Sequence, residues 1–258
     1  MMCNRSKETA RPLIDLRHKV KGQIRRGLYG VLSHPLEAVL AIKTLNRRYQ
    51  DFSLEENDTD INFFHKCLRH LNVSYDILEE DLARIPKTGP VLVVANHPLG
   101  GLDGMVLGAI LTSVREDICL LANGLLGHVE EIKPWLIPVN PFGGESATRE
   151  NKRGIRRTIQ YLREGGCVGT FPSGTVSHLQ LRKRQVTDPI WSPNTARFIR
   201  LTKATVVPVH FEGKNSAAFH LLGLMHPLLR TAMLPREMLN KSETTLRVRA
   251  GQPIPFRK

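Results

Sequence analysis

Cysteine is sparse in this chain, and its cysteines stand apart. Cys3, Cys67, Cys119 and Cys167 are the four among 258 residues, and no two form a Cys-x-x-Cys pair. That pattern excludes a disulfide framework and makes a structural zinc site a poor fit. Isolated thiols suit a reducing cytoplasm. Aromatic residues make up only 6%, too few to interleave with basic side chains as a nucleic-acid stacking platform requires. No uncharged apolar run reaches the length of about 18 residues that a spanning helix needs. The longest candidate, 85–114, is broken by Lys87, Asp103 and several glycines. The first residues are charged and lack an apolar core segment, so no secretory leader is expected. No internal repeat, no low-complexity tract and no Gly-x-Ser-x-Gly elbow of a serine hydrolase is visible.

What the chain does have is positive charge. Lys and Arg number 37 against 24 Asp and Glu, a formal net charge of +13, with a sequence pI near 10.0. Hydrophobic residues at 41% and charged residues at 24% describe a folded protein with enough length to bury a core, as one large domain or two small ones. The charge is divided: residues 1–50 carry a net +8, residues 51–150 a net −9 and residues 151–258 a net +14. So basic a chain calls for an anionic partner, whether nucleic acid, an anionic bilayer or an acidic carrier protein. Charge alone does not choose among them, although the scarcity of aromatics weighs against nucleic acid.

Periodicity divides the chain further. From Pro12 to Tyr29 apolar residues recur at helical spacing among Arg17, Lys19, Lys21, Arg25 and Arg26, which predicts a basic amphipathic helix. Ser33 and Pro35 open a second helix through Leu45. The pair either lies on an anionic membrane surface or packs its apolar face on the domain. Asp51, Glu55, Glu56, Asp58 and Asp60 make an acidic linker, with Asp60 placed to cap a helix over 61–71. We therefore divide the chain into a helical region and linker, 1–60, and a main domain, 61–258. In the main domain seven short runs read as strands: 73–77, 91–95, 118–122, 136–139, 168–171, 206–211 and 246–250. Helical patterns near 105–111, 149–162 and 195–202 lie between them. Such alternation predicts an α/β domain with a mixed, largely parallel sheet flanked by helices.

Three strand ends carry chemistry. The run 91–95 passes into Asn96-His97-Pro98-Leu99-Gly100-Gly101-Leu102-Asp103, with the Asp six residues after the His. Active sites of open α/β sheets lie at the carboxyl ends of strands. A turn could fold Asp103 back onto the His97 ring, hold one nitrogen protonated and leave the other as a general base. Equally, Asp103 could simply cap the next helix. A second strand ends in Phe171-Pro172-Ser173-Gly174-Thr175-Val176-Ser177, a tight turn whose amides could receive an anion or oxyanion. A third, Val206-Val207-Pro208-Val209-His210-Phe211, runs into Glu212. Cys167, on the strand before the second motif, reads as core packing.

In this order the segments resemble the glycerolipid acyltransferase superfamily, the relatives of lysophosphatidic acid acyltransferase, over roughly residues 73–252. Asn96, His97 and Asp103 match its first motif. Phe171, Pro172, Gly174, Thr175 and Ser177 match its third. Val206, Pro208 and Val209 match its fourth. The second falls at 137–144, with Asn140 and Gly143, followed by Arg149. The resemblance implies that His97 is a general base oriented by Asp103. It also implies that Asn96, Asn140, Gly143, Arg149, Phe171, Pro172, Ser173, Gly174, Thr175 and Ser177 bind substrate, with amides near Gly174 and Thr175 facing the oxyanion. There are departures. One extra residue separates His from Asp, which Gly100-Gly101 can absorb. Ser173 and Val176 replace an acidic and a basic residue that serve phosphate-bearing acceptors. The Asn-His-Pro-Leu-Gly-Gly-Leu-Asp-Gly form looks like a bacterial subgroup often given a hemolysin label, which includes the O-acyltransferases that complete ornithine and glycine lipids.

The resemblance therefore implies transfer of a fatty acyl group from acyl carrier protein or coenzyme A to the hydroxyl of a lyso-amino-acid lipid. Lysophosphatidic acid is the alternative acceptor and a basic nucleic-acid binder the distant rival. No metal or resident cofactor is expected. The expected place of action is peripheral, at the cytoplasmic face of the inner membrane.

Overall fold

A computed structural model describes residues 41–54, 62–140 and 144–257. All seven anticipated strands are present and share one sheet. They are β1 Ser74–Asp76, β2 Val91–Ala95, β3 Ile118–Asn123, β4 Leu136–Val139, β5 Cys167–Thr170, β8 Thr205–Phe211 and β9 Thr245–Ala250. A separate antiparallel hairpin, β6 His178–Gln180 and β7 Gln185–Thr187, was not legible in the pattern. The sheet order is β1-β9-β8-β2-β5-β3-β4, and every neighbouring pair is parallel except β8 with β9.

The central strand explains the architecture. Val-Leu-Val-Val-Ala is apolar at every position, as a strand covered on both faces must be. Val91, Val93 and Ala95 join one core, while Leu92 and Val94 join the other. The helices are α1 Ile42–Leu54, α2 Phe63–Leu71, α3 Glu79–Leu82, α4 Gly101–Val114, α5 Gly144–Arg163, α6 Asn194–Thr202, α7 Ala217–Met225, α8 Pro227–Ala232 and α9 Leu234–Leu239. The α4 helix is buried along most of its length in the larger core. There Gly108 lets the Phe64 ring of α2 approach so closely that a Cβ would stand 2.4 Å from it. The α5 and α6 helices cover the opposite face through Leu162 and Phe198.

Several expectations shift at their edges. The expected helix through Leu45 is described from Ile42 and continues to Leu54, into the acidic stretch, with Leu45 and Phe52 buried. The α2 cap is Asn62, whose Oδ1 accepts the amides of Phe64 at 2.8 Å and His65 at 3.4 Å. Asp60, the helix expected over 12–29 and Gly143 lie outside the described residues. The short helices α7 to α9 were not anticipated. Pro227 and Pro235 each open a new helix there, which cuts the periodicity below a readable length.

At the amino ends of the central strands Arg115 acts as a staple. It is 6% exposed and grips Asp117 through two hydrogen bonds of 2.6 Å. Its remaining donors reach the carbonyls of Pro86 at 3.0 Å, Gly89 at 3.1 Å and Gly165 at 2.8 Å. Arg115→Leu should lower unfolding free energy by about 2 kcal/mol, since it removes the hydrogen bonds of a buried guanidinium to Asp117 and three part-buried carbonyls. Denaturant melts would show this, with turnover per folded molecule unchanged because the staple lies at the far end of the strands.

Candidate active site

Because β8, β2 and β5 run parallel, their carboxyl ends meet at one edge, and each carries a motif. Asn96 ends β2 and clamps it to the end of β8. Its Nδ2 donates to the Phe211 carbonyl at 2.9 Å, and its Oδ1 accepts the Phe211 amide at 2.7 Å. His97 follows directly. Its carbonyl accepts the Ser177 amide at 2.8 Å, which binds the first motif to the third. Its own amide donates to Asp188 Oδ1 at 3.2 Å. The same carboxylate accepts the Ser177 hydroxyl and, at 3.0 Å through Oδ2, the Trp191 indole.

The His97 ring faces Asp103, with Nδ1 to Oδ2 at 2.9 Å. Oδ2 also accepts the amides of Leu99 at 2.8 Å and Gly100 at 3.0 Å, so Asp103 caps α4 as well as holding the ring. Gly100, with φ 81° and ψ −127°, makes the turn that accommodates the extra residue. Asp103 is fully buried and the His97 side chain 18% exposed. Burial pushes the Asp103 carboxyl up, against the hydrogen bonds from His97, Leu99 and Gly100. An ionised carboxylate facing Nδ1 fixes the proton on that nitrogen and leaves Nε2 as the acceptor. Phe171 stacks on the imidazole at 4.2 Å between centroids, with the planes 23° apart.

The rest of the third motif forms a compact turn. Gly174 has φ 65° and donates its amide to the Phe171 carbonyl at 3.0 Å. The Ser173 hydroxyl donates to the Thr175 carbonyl at 2.8 Å, and the Pro172 carbonyl accepts the Ser192 amide at 2.8 Å. Asn140 sits elsewhere. It ends β4, three strands or roughly 14 Å from β2. There it exchanges hydrogen bonds of 2.7 and 2.9 Å with Asn151. Arg149 is exposed on α5. Cys167 is fully buried, and burial pushes its thiol up to about 12, which leaves it inert as a nucleophile. Sequence reasoning missed Asp188. The available signal was its isolation, since no other acidic residue lies between Glu164 and Glu212.

The α/β sheet thus presents a buried Asp–His pair on a glycine turn beside a second tight turn, an arrangement suited to group transfer. The chain belongs to the acyltransferase family, whose profile matches residues 41–258. It is therefore an enzyme that transfers acyl groups. It is 30% identical over 213 residues to the lyso-glycine lipid O-acyltransferase of Phocaeicola vulgatus, covering 78% of this chain and 71% of the relative. The lyso-glycine lipid O-acyltransferase of Bacteroides thetaiotaomicron is 29% identical over 205 residues, 76% of this chain and 71% of that one. Among solved structures, the 1-acyl-sn-glycerophosphate acyltransferase PlsC from Thermotoga maritima aligns over 88% of this chain and 84% of its own, with 18% identity and a TM-score of 0.44.

The double use of Asp103 is testable by melting. Asp103→Ala leaves the Leu99 and Gly100 amides without their acceptor and should lose about 1–2 kcal/mol. Gly100→Ala should lose about 1–3 kcal/mol, because its backbone conformation is open only to glycine. A Cβ there would also stand 2.8 Å from Leu234. Unchanged melts for both would show that the turn is not held this way.

Proposed function

We propose that this acyltransferase moves a fatty acyl group from an acyl thioester to the hydroxyl of a lyso-amino-acid lipid, with His97 as general base. The observation that carries this reading is the His97–Asp103 pair, which directs Nε2 away from the carboxylate. Nε2 takes the proton of the acceptor hydroxyl. The oxygen attacks the thioester carbonyl, and the tetrahedral intermediate collapses by breaking the C–S bond. The thiolate leaves with the proton held by His97. The Gly174 amide is committed within its turn, so the oxyanion contact falls to the Thr175 amide beside it. The thioester is a co-substrate, and these steps use no resident cofactor.

A lyso-amino-acid acceptor is favoured by the names of the two relatives. The presence of Ser173 and Val176, where phosphate-using members carry charged side chains, favours it too. An anionic donor, on acyl carrier protein or coenzyme A, suits the groove beside Leu99, where Lys214, Lys241 and Arg247 outnumber the one carboxylate, Glu212. Incubating the protein with acyl-carrier thioester and a panel of lyso-lipids, followed by mass analysis, should yield acylated glycine or ornithine lipid. Conversion of lysophosphatidic acid alone would overturn this acceptor. General-base catalysis is typically worth about 10²–10⁴-fold, so His97→Ala should lose turnover on that scale. Asp103→Asn, which keeps the cap acceptor and removes the charge, should lose turnover with little change in melting.

Peripheral docking on an anionic bilayer fits the surface. No helix of the described residues is long and apolar enough to cross a membrane. Leu221, Leu224 and Met225 of α7, Leu228 and Leu229 of α8, and Ile190 and Trp191 are exposed. Exposed Arg182, Lys183 and Arg184 lie on the hairpin against which α7 packs. Apolar side chains among cations suit a headgroup region. Leu221→Gln with Leu228→Gln should weaken binding to phosphatidylglycerol vesicles by about tenfold or more. Activity on detergent-dispersed acceptor should be retained.

A further inference from the structure

Two described arginines are buried, and they differ in company. Arg115 has its carboxylate and three carbonyls. Arg230, 8% exposed, makes one hydrogen bond among the described residues, from Nη2 to Thr175 Oγ1 at 3.4 Å, and no described carboxylate pairs with it. A buried guanidinium with most of its donors unassigned is costly unless an anion completes it. The nearest buried carboxylate in the sequence, Glu237, is committed to the amide and hydroxyl of Ser216. Asn215, 3% exposed, has both side-chain amide atoms unpartnered, so the neighbourhood has polar capacity in reserve. His220 is desolvated here, which lowers its pKa. The Asn215 backbone and Glu237 oppose this shift, and Arg230 adds to it.

Its placement ties it to the reaction centre. The Arg230 stem lies against Gly223, where a Cβ would meet its Cδ at 3.0 Å, so α7 aims the guanidinium at Thr175. Two residues on, the Ser177 amide holds the His97 carbonyl at 2.8 Å. At the start of α9, four residues beyond Arg230, Leu234 packs on Gly100 at the head of the Asp103 cap. Val176 is buried in an apolar cluster with Phe219 and Met233. The positive charge beside this turn therefore comes from a different helix.

We propose that Arg230 is the head-group residue of the acceptor site and receives the carboxylate of the lyso-amino-acid lipid while His97 works on its hydroxyl. Guanidinium and carboxylate match as a two-pronged pair. The assignment rests on the acceptor reading above, and the experiment separates the two. Wild-type protein, Arg230→Gln and Arg230→Lys are assayed on N-(3-hydroxyacyl)glycine, on its methyl ester and on lysophosphatidic acid, with melting temperatures recorded. Wild-type protein should prefer the free acid to the ester by roughly 10- to 100-fold in kcat/KM. Arg230→Gln should erase that preference by raising KM for the acid alone, and Arg230→Lys should restore part of it. Equal use of acid and ester by the wild-type protein, or equal loss of both in Arg230→Gln, overturns the Arg230 assignment alone. A rise in KM for the acyl thioester instead would assign Arg230 to the donor and overturn it likewise. Acylation of lysophosphatidic acid and of neither glycine compound overturns the acceptor itself, and the carboxylate assignment with it.

Discussion

One oxygen atom organises this site. Asp103 Oδ2 accepts hydrogen bonds from the His97 ring, the Leu99 amide and the Gly100 amide. The two amides fix the turn and the first residue of α4. The ring nitrogen is then oriented by the same carboxylate that begins the helix, so catalytic geometry and fold share one constraint. Full burial of Asp103 excludes water from the arrangement and strengthens each contact. It also pushes the carboxyl up, so the three donors have to offset a desolvation cost.

The sheet delivers the other parts to the same place. Parallel pairing aligns the ends of β8, β2 and β5, and the Asn96 clamp fixes the first two at their last residues. From β5 comes Phe171, which stacks on the imidazole, and then Ser177, which holds the His97 backbone. Asp188 ties that backbone to the Ser177 hydroxyl and to Trp191 on the exposed loop. Arg115 secures the opposite ends of the strands, where no motif residue lies. The motif residues thus gather at one end of the sheet, and the Arg115 network closes the other.

The centre of the sheet was legible because β2 and β5 are short apolar runs buried on both faces, and β9 because its exposed polar and buried apolar residues alternate. The two readings of Asp103, as ring partner and as helix cap, proved compatible because one oxygen can accept several donors. Local signals fall silent where long-range contacts decide. The Asn96 amide pairs with the Phe211 backbone, 115 residues away, a clamp that no local pattern shows. Asp188 and Arg230 carry no motif. Their significance arises only when the β6–β7 hairpin and the proline-started helices fold back against the third motif. The basic residues Arg149, Lys152, Arg153, Arg156 and Arg157 form an exposed face of α5, which accounts for part of the net charge.

The central claim is that Asp103 sets the proton on His97 Nδ1 and frees Nε2. Nitrogen NMR of histidine-labelled protein tests it directly, with the His97 signals assigned by their loss in His97→Gln. The account predicts a neutral imidazole protonated at Nδ1 that loses this tautomer preference in Asp103→Asn. A ring protonated at Nε2 in the unmodified protein, or one indifferent to Asp103, would contradict it.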